Sequence, residues 1–528
     1  MQLEKIPFAD THAFHPFFLD YIQQKESLRP FYNRFPTSGE FKRQITDKQA
    51  AFTPDRRTTL VEVLQRQYKD VTTPEAVQGN IKALTNDTTF TVTTGHQLNI
   101  FTGPLYFIYK IVTVVNTCRQ LKEKYPDYTF VPVYWMASED HDYDEIKYFR
   151  LYNKKYTWET PQRGAVGRFS TKDMAGLLRE VPGDIQMFRE AYTKNKTLSG
   201  AVRHYVNALF GAEGLVVIDA DETAFKAGFR DVIQQDIFDN VAKKHVDQTT
   251  QALEAKGYKP AVNGRDINFF YLGDGLRARI EKVGDQFQVV DTDISFTAEA
   301  LRELIDKHPE KFSPNVILRP LYQEMILPNL AYAGGPSEVE YWLQLGGVFK
   351  HFQVPFPILM PRNFALVLEH AAHRKFLRTE LHIRDFFEDK NYIYNHWVLQ
   401  HSPRNLTVGK ERTDVQALFE VLRERAHEID TTLAAYVAAE GKRALNSLEK
   451  IEHKLVRAEK RLHSDTLRQI EAVKDLLFPN GNLQERTDNF LNFYQQDPQF
   501  IQRLLQHFDP FDFQFYIFAY EEPLANPA

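Results

Sequence analysis

Cysteine is almost missing from this 528-residue chain: Cys118 is the only one. No intrachain disulfide can form, and a zinc site built from several thiolates is excluded. Cys118 stands mid-helix in phase with apolar neighbours, which makes it a core residue. Long apolar runs are lacking too, since nothing approaches the roughly 18 apolar residues of a membrane helix. The opening Met-Gln-Leu-Glu-Lys-Ile-Pro has no charged segment leading into an apolar one, so no secretory leader is expected. Nor is there an excess of positive charge. The 65 Lys and Arg stand against 70 Asp and Glu, so no global basic field points to nucleic acid or an anionic membrane. Repeats and low-complexity tracts are absent. These absences predict a cytoplasmic, soluble protein that binds neither nucleic acid nor membrane. Aromatics, by contrast, are plentiful, with 41 Phe and 25 Tyr, which suits large cores and deep pockets. The length exceeds one compact core, and about two to four domains are expected.

The chain falls into eight stretches. Residues 1–88 read as helical and connective. Residues 89–150 hold a strand at 90–93 ended by Gly95, a helix opened by Gly103-Pro104, and a second strand at 130–136. An insertion at 151–212 precedes a core strand within 213–225. A second insertion at 226–312 contains an antiparallel excursion. Core strands return at 315–319, 330–333 and 356–360 within 313–410. This is a nucleotide-type α/β core with two insertions. In such an open sheet, ligands bind at the carboxyl ends of the strands.

From 411 to 478 the pattern changes to a helical seam: Leu418, Leu422, Ile429, Leu433 and Tyr436, then Leu448, Ile451, Leu455, Ala458 and Leu462. Charged residues fill the gaps, as a coiled coil requires. The step pattern slips at Gly441, where a break is expected. Continuous from about 413 to 477, the rod would span about 95 Å at about 1.5 Å per residue. It must bury its seam against another helix of this chain or a second copy, and a homodimer is the favoured reading. The aromatic-rich segment 479–528 is expected to dock back on the core.

Three polar clusters could carry chemistry. In the first, Gly95 and Gly103 let backbone N–H groups approach a ligand, and a helix opening at Pro104 favours phosphate or carboxylate. His96 can donate to an anionic oxygen, while Gln97, Asn99 and Thr102 add neutral contacts. The loop is similar to the His-x-Gly-His loop with which nucleotidylyltransferases hold ATP phosphates, with Thr102-Gly103 in place of the second histidine. Its alternative is a plain β-to-α turn. In the second, Glu139-Asp140-His141-Asp142 sets carboxylates around a histidine, an arrangement suited to a general base. Its alternative is an acidic helix cap at Asp142 or Asp144, and one histidine among carboxylates is weak evidence for a metal. In the third, Arg319 at a strand end could clamp a carboxylate or phosphate, with Gln323, Gly334, Gly335, Glu338 and Tyr341 nearby. Its alternative is an internal ion pair to Glu338 or Glu340.

The stretches Thr-Gly-His-Gln-x-x-x-Phe-Thr-Gly-Pro-Leu-Tyr (94–106), Glu-Asp-His-Asp (139–142), Ser-Pro-Asn-Val-x-Leu-Arg-Pro-Leu-Tyr-Gln-Glu (313–324) and Phe-Pro-Asn-Gly-x-Leu-Gln-Glu-Arg (478–486) resemble the BshC family over nearly the whole length. That family comprises the cysteine-adding enzymes of bacillithiol biosynthesis. The resemblance implies a Rossmann-like core of nucleotidylyltransferase type with two connecting insertions and a dimerising coiled coil. It implies a ligase joining the carboxyl of L-cysteine to the glucosamine amine of glucosaminyl malate, with activation as an acyl-adenylate and ATP/ADP as the expected nucleotide. Asp140, His141 and Asp142 would grip the ammonium and accept a proton. Gln97, His96 and Asn99 would act beside them. Members commonly carry Gln at the position of His96, so the expectation rests more on Gln97. Thr94, Tyr106, Trp135 and Glu139 join the substrate-contacting set, and Arg319 would hold a malate carboxylate. A second nucleotide pocket is implied near the coiled-coil base, around Gln484, Glu485 and Arg486. The rival readings are a nucleotidylyltransferase of another small substrate and a coiled-coil scaffold that only binds a nucleotide.

Overall fold

The computed structural model describes residues 2–521. It opens with β1 (Gln2–Pro7), a strand where the sequence predicted helix and connection. Helices lead to β2 (Thr89–His96), buried at every position as a parallel strand covered on both faces must be. It runs through Gly95 to His96 rather than ending at the glycine. The helix Tyr106–Lys124 returns the chain to β3 (Thr129–Met136). The first departure carries the hairpin of β4 (Tyr148–Leu151) and β5 (Lys154–Thr157), then short helices, before β6 (Val216–Asp219). The second carries helices and β7 (Phe269–Gly273), β8 (Leu276–Val283), β9 (Gln286–Val289), β10 (Ser295–Phe296) and β11 (Phe312–Pro314). These five form an antiparallel sheet in the order β10-β9-β8-β7-β11. Then come β12 (Asn329–Gly334), β13 (Ile358–Pro361), β14 (Phe364–Leu368) and β15 (Gln514–Ala519).

The central sheet is parallel throughout, in the order β13-β12-β2-β3-β6. Connections leave β2 toward β3 and β6 on one side, and the later strands add on the other. This is the Rossmann-like arrangement, with its switch point between β2 and β12. The loops after β2, β3, β12 and β13 therefore open onto one crevice.

Two expectations fail locally. Residues 315–319 are not a strand. The Asn315 side-chain oxygen accepts from the N–H groups of Ile317 (2.9 Å) and Leu318 (3.4 Å), which turns the chain. Pro320 then suits the first turn of the helix Arg319–Ile326, so Arg319 opens a helix instead of ending a strand. The coiled coil also breaks elsewhere than predicted. Helices Gly409–Ile429 and Thr431–Leu462 fold on one another as a hairpin, with the break at Asp430. Asp430 is extended, and its carboxylate caps the second helix through the Thr432 N–H at 2.8 Å. Gly441 stays helical, and a Cβ there would lie 3.0 Å from the Phe419 ring. The glycine permits close helix approach. A third helix, Ser464–Leu477, leads back to the body of the protein.

In a separate sheet, β15 pairs antiparallel with β1 and parallel with β14. The C-terminal segment thus docks by strand pairing and joins both ends of the described chain. Among the described residues no helix is long and apolar enough to cross a membrane.

Candidate active site

A cleft of about 570 Å³ opens at the switch point. Its first wall is the end of β2. Gly95 keeps the wall open there, since a Cβ would press on the Tyr332 hydroxyl at 3.0 Å and touch the Arg319 guanidinium at 3.6 Å. His96 is buried between the rings of Tyr106 and Phe107, at 5.3 and 5.0 Å. Burial, with Lys110 and Arg362 nearby, holds its pKa well below the usual histidine range, so the ring is neutral. Its Nε2 has no hydrogen-bond partner within the protein.

Beyond His96 the loop is strained. Phe101, Thr102 and Gly103 all have positive φ, and Gly103 (φ 63°, ψ −137°) occupies backbone space open only to glycine. The loop is pinned from distant segments. The Asn489 amide donates to the carbonyls of Phe101 (2.7 Å) and Gly103 (2.6 Å), and the Tyr205 hydroxyl to that of Asn99 (3.0 Å). Asn99 remains in the cleft wall, while Thr102 and Gly103 lie behind it. Thr94 also lies behind, its hydroxyl bonded to the Ala333 carbonyl at 2.8 Å.

One end of the cleft is cationic. Lys110, one turn along the helix from Tyr106, donates to the Gly95 carbonyl (2.9 Å) and pairs with Glu338 (2.6 Å). Glu338 also accepts from the Tyr332 hydroxyl (2.6 Å) and the Gly335 N–H (2.8 Å). Burial would raise the Glu338 pKa, but Lys110 and these donors outweigh it and hold it low. Arg319 donates to Gln323 (2.9 Å) and reaches Tyr341 (3.4 Å). Neither predicted ion pair forms, since Glu338 is taken by Lys110 and Glu340 faces His15 at 3.9 Å. Arg362 makes a forked pair with Glu485, and Arg486 completes the wall. Four cations against Glu338 and Glu485 leave two positive charges in excess.

The other end holds two carboxylates, each faced by a cation. Asp140 accepts from the Gln97 amide (2.6 Å), Arg277 (3.2 Å) and the His141 N–H (2.7 Å). Burial would push its carboxyl up, but the adjacent His141 side chain, the Arg277 charge and the Gln97 amide overcome it and hold the pKa well below the usual range. Glu139 faces the cleft and pairs with Lys226, which is fully buried. Burial raises the Glu139 pKa to about 7, with Lys226 opposing and Asp221 adding to the rise. Trp135 lies between, edge-on to Tyr322 at 5.8 Å.

Several predicted residues stand elsewhere. His141 is half exposed and outside the cleft. Arg277 donates to its Nδ1 at 2.7 Å, and since a guanidinium cannot accept, Nδ1 carries no proton. Asp142 caps the short helix Tyr143–Ile146 through the Glu145 N–H (3.3 Å), the capping alternative. Gln323 supports Arg319 from behind, and Gly334 packs against Glu338. Gln484 bonds both backbone groups of Val367, at 2.8 and 3.0 Å, and Glu485 is consumed by Arg362. Of that trio only Arg486 faces the cleft.

Lys110, Arg277, Lys226 and Arg362 were missed. A lysine inside an apolar helical stripe was a readable signal for Lys110, and Arg362 follows a strand end. Arg277 and Lys226 come from the second insertion, where nothing local marks them. A second cavity of about 460 Å³ lies at the base of the helical hairpin, lined by His12, His15, Phe387, Lys474 and Phe478. Burial pulls the Lys474 pKa down to about 8. Pro336, Ser337 and Arg486 line both cavities.

Residues 1–363 match the model of the bacillithiol biosynthesis BshC N-terminal Rossmann-like domain, and residues 365–520 that of the BshC C-terminal coiled-coil domain. The protein named "Putative cysteine ligase BshC" of Cytophaga hutchinsonii is 40% identical over 519 residues, 98% of this chain and 99% of that one. Its namesake in Flavobacterium johnsoniae is 39% identical over 532 residues, with coverage of 98% and 99%. The chain belongs to the BshC family of bacillithiol biosynthesis.

Proposed function

We propose that the protein is a cytoplasmic ligase that adds L-cysteine to the glucosamine amine of glucosaminyl malate, forming bacillithiol through an activated carboxyl. The observation that carries this reading is the charge division of the cleft. Two excess cations at one end suit an anionic partner, and at the other the Asp140 and Glu139 carboxylates, balanced by Arg277 and Lys226, offer acceptors to an amine. Forming an amide from a free carboxylate is uphill in water, so the carboxyl needs activation. ATP would supply that activation as cosubstrate. The unpartnered His96 Nε2, Lys110 and the room left by Gly95 fit a phosphate, with Arg486 at the rim. Asp140, ionised and held by Gln97 and Arg277, would orient the ammonium. Arg319 would hold a carboxylate of malate.

Purified protein incubated with cysteine and glucosaminyl malate, with and without ATP and magnesium, is expected to form bacillithiol only with ATP, read by mass spectrometry. Product without ATP would point to a donor already activated. No product in either case would sink the ligase reading.

A homodimer belongs to the same proposal. After the hairpin closes, Leu418 (56%), Ile429 (75%), Tyr436 (63%) and Leu462 (66%) remain exposed. A second copy would cover them. Ile429→Glu with Tyr436→Glu is expected to shift the protein from dimer to monomer in analytical ultracentrifugation, and a monomeric wild type would remove the idea. The cavity beside Lys474 and Arg486 is our candidate for the second nucleotide pocket.

A further inference from the structure

We infer that Glu139 is the general base of this site and that Lys226 is its positioning residue. The inference rests on the ligase reading and names the group that takes the proton from the attacking amine. A base must exchange its proton near the working pH and lie within reach of the reacting nitrogen. Asp140 faces the same cleft but fails the first condition, because its donors hold it ionised. His141 stands outside the cleft with Nδ1 occupied by Arg277. Asp142 is spent on a helix cap. Glu145 lies exposed at the rim, without an ion-pair partner among the described residues to orient it.

Glu139 differs from all four. It lies in the loop after β3, lines the cleft with Trp135, and has a side chain only 12% exposed. Lys226, on the helix Thr223–Ala227, engages Oε1 and leaves Oε2 as the accessible oxygen. Lys226 is itself fixed. It donates to the Phe312 carbonyl at 2.6 Å and lies 4.9 Å over the Tyr322 ring. The other charges facing Glu139 are Asp221 after β6, itself paired with Arg168, together with Arg277 on β8 and the adjacent Asp140. Burial and Asp221 favour the neutral carboxyl, while Lys226 and Arg277 favour the anion. The balance leaves a group that both accepts and releases a proton near neutrality.

After the bound ammonium has released one proton to solvent, the uncharged amine attacks the activated carboxyl carbon and a C–N bond forms. The carbon–oxygen bond to the phosphate-bearing leaving group breaks, and its electron pair departs with that oxygen. The surplus proton on nitrogen passes to Glu139 Oε2. Asp140 remains ionised throughout and orients the amine.

The test compares wild type, Glu139→Gln, Glu139→Asp and Lys226→Met across pH at saturating substrates. Glu139→Gln is expected to lower kcat about 10²- to 10⁴-fold, with the KM for the amine changed less than about threefold. It should abolish the acidic limb of the profile near pH 7, and Glu139→Asp should restore part of the rate. Lys226→Met should move that limb to higher pH, since losing the cation disfavours the anion. A Glu139→Gln enzyme with kcat within about threefold of wild type, or with the acidic limb intact, would overturn the assignment. Infrared difference spectra of wild type with bound glucosaminyl malate, and no cosubstrate, supply a readout without turnover. The carboxyl band missing from Glu139→Gln should titrate near pH 7 and shift when the amine binds. No shift would overturn contact between Glu139 and the amine. Absence of amide product from wild type would instead sink the ligase reading and leave the infrared result to decide the proton acceptor.

Discussion

Lys48→Met is expected to cost about 3–5 kcal/mol of folding stability, measured by urea denaturation at pH 7. Lys48 and Glu324 pair at 2.9 Å with side chains 1% and 0% exposed, so no water can replace the lost ammonium. Glu324 also accepts from Asn329 (2.5 Å) and Gln323 (3.1 Å), and Asn329 accepts from Thr91 (3.1 Å) and Thr93 (2.8 Å). The network therefore bridges β2, β12 and the helix that carries Arg319. Burial already raises the Glu324 pKa against the opposing pull of Lys48. Without Lys48 the carboxyl must take up a proton to stay inside. A folded-state pKa above the unfolded value means the native state binds more protons, so stability falls as pH rises. The variant should thus lose least near pH 5 and most above neutrality. Lys48→Met with Glu324→Leu should recover much of the loss, because replacing both partners removes the stranded charge. A loss under about 1 kcal/mol for the single variant would mean the pair contributes no more than a surface ion pair.

The same network explains why the third polar cluster was only partly legible in sequence. Val316-Ile317-Leu318 has strand composition, and no local rule assigns greater weight to the Asn315 cap and Pro320 that turn it into a helix start. The loops after β2 and β3 could be placed at strand ends because strand, glycine and helix signals follow one another within a few residues. The partners of those loops could not. Arg277 reaches Asp140 from 137 positions away and Lys48 reaches Glu324 across 276. Such pairings are set by sheet order, which periodicity does not encode. At the coiled coil the error was one of weighting. Asp430-Thr431-Thr432 carries a capping signal, yet Gly441 drew the expected break, although a glycine inside a helix also serves close packing.

Arg319→Lys is expected to lower kcat/KM for glucosaminyl malate about 10- to 150-fold, the range of a charged hydrogen bond worth about 1.5–3 kcal/mol. Lysine keeps the charge but loses the planar fork that grips a carboxylate with two parallel bonds. The support behind Arg319 is rigid: Lys48 holds Glu324, Glu324 takes the Gln323 amide, and the Gln323 oxygen accepts from Arg319 at 2.9 Å. A guanidinium so oriented has few alternative partners, and a lysine ammonium would leave the Gln323 oxygen without a donor. Glucosamine, which lacks the malate carboxylates, separates two roles for the residue. If Arg319 grips malate, wild type and variant should use glucosamine equally poorly, and the penalty should vanish with the carboxylate. A penalty of the same size on both amines would move Arg319 to the phosphate of the activating cosubstrate, and the malate would then have to be held by Arg486 at the rim. An Arg319→Lys enzyme as active as wild type on glucosaminyl malate would remove Arg319 from substrate binding altogether.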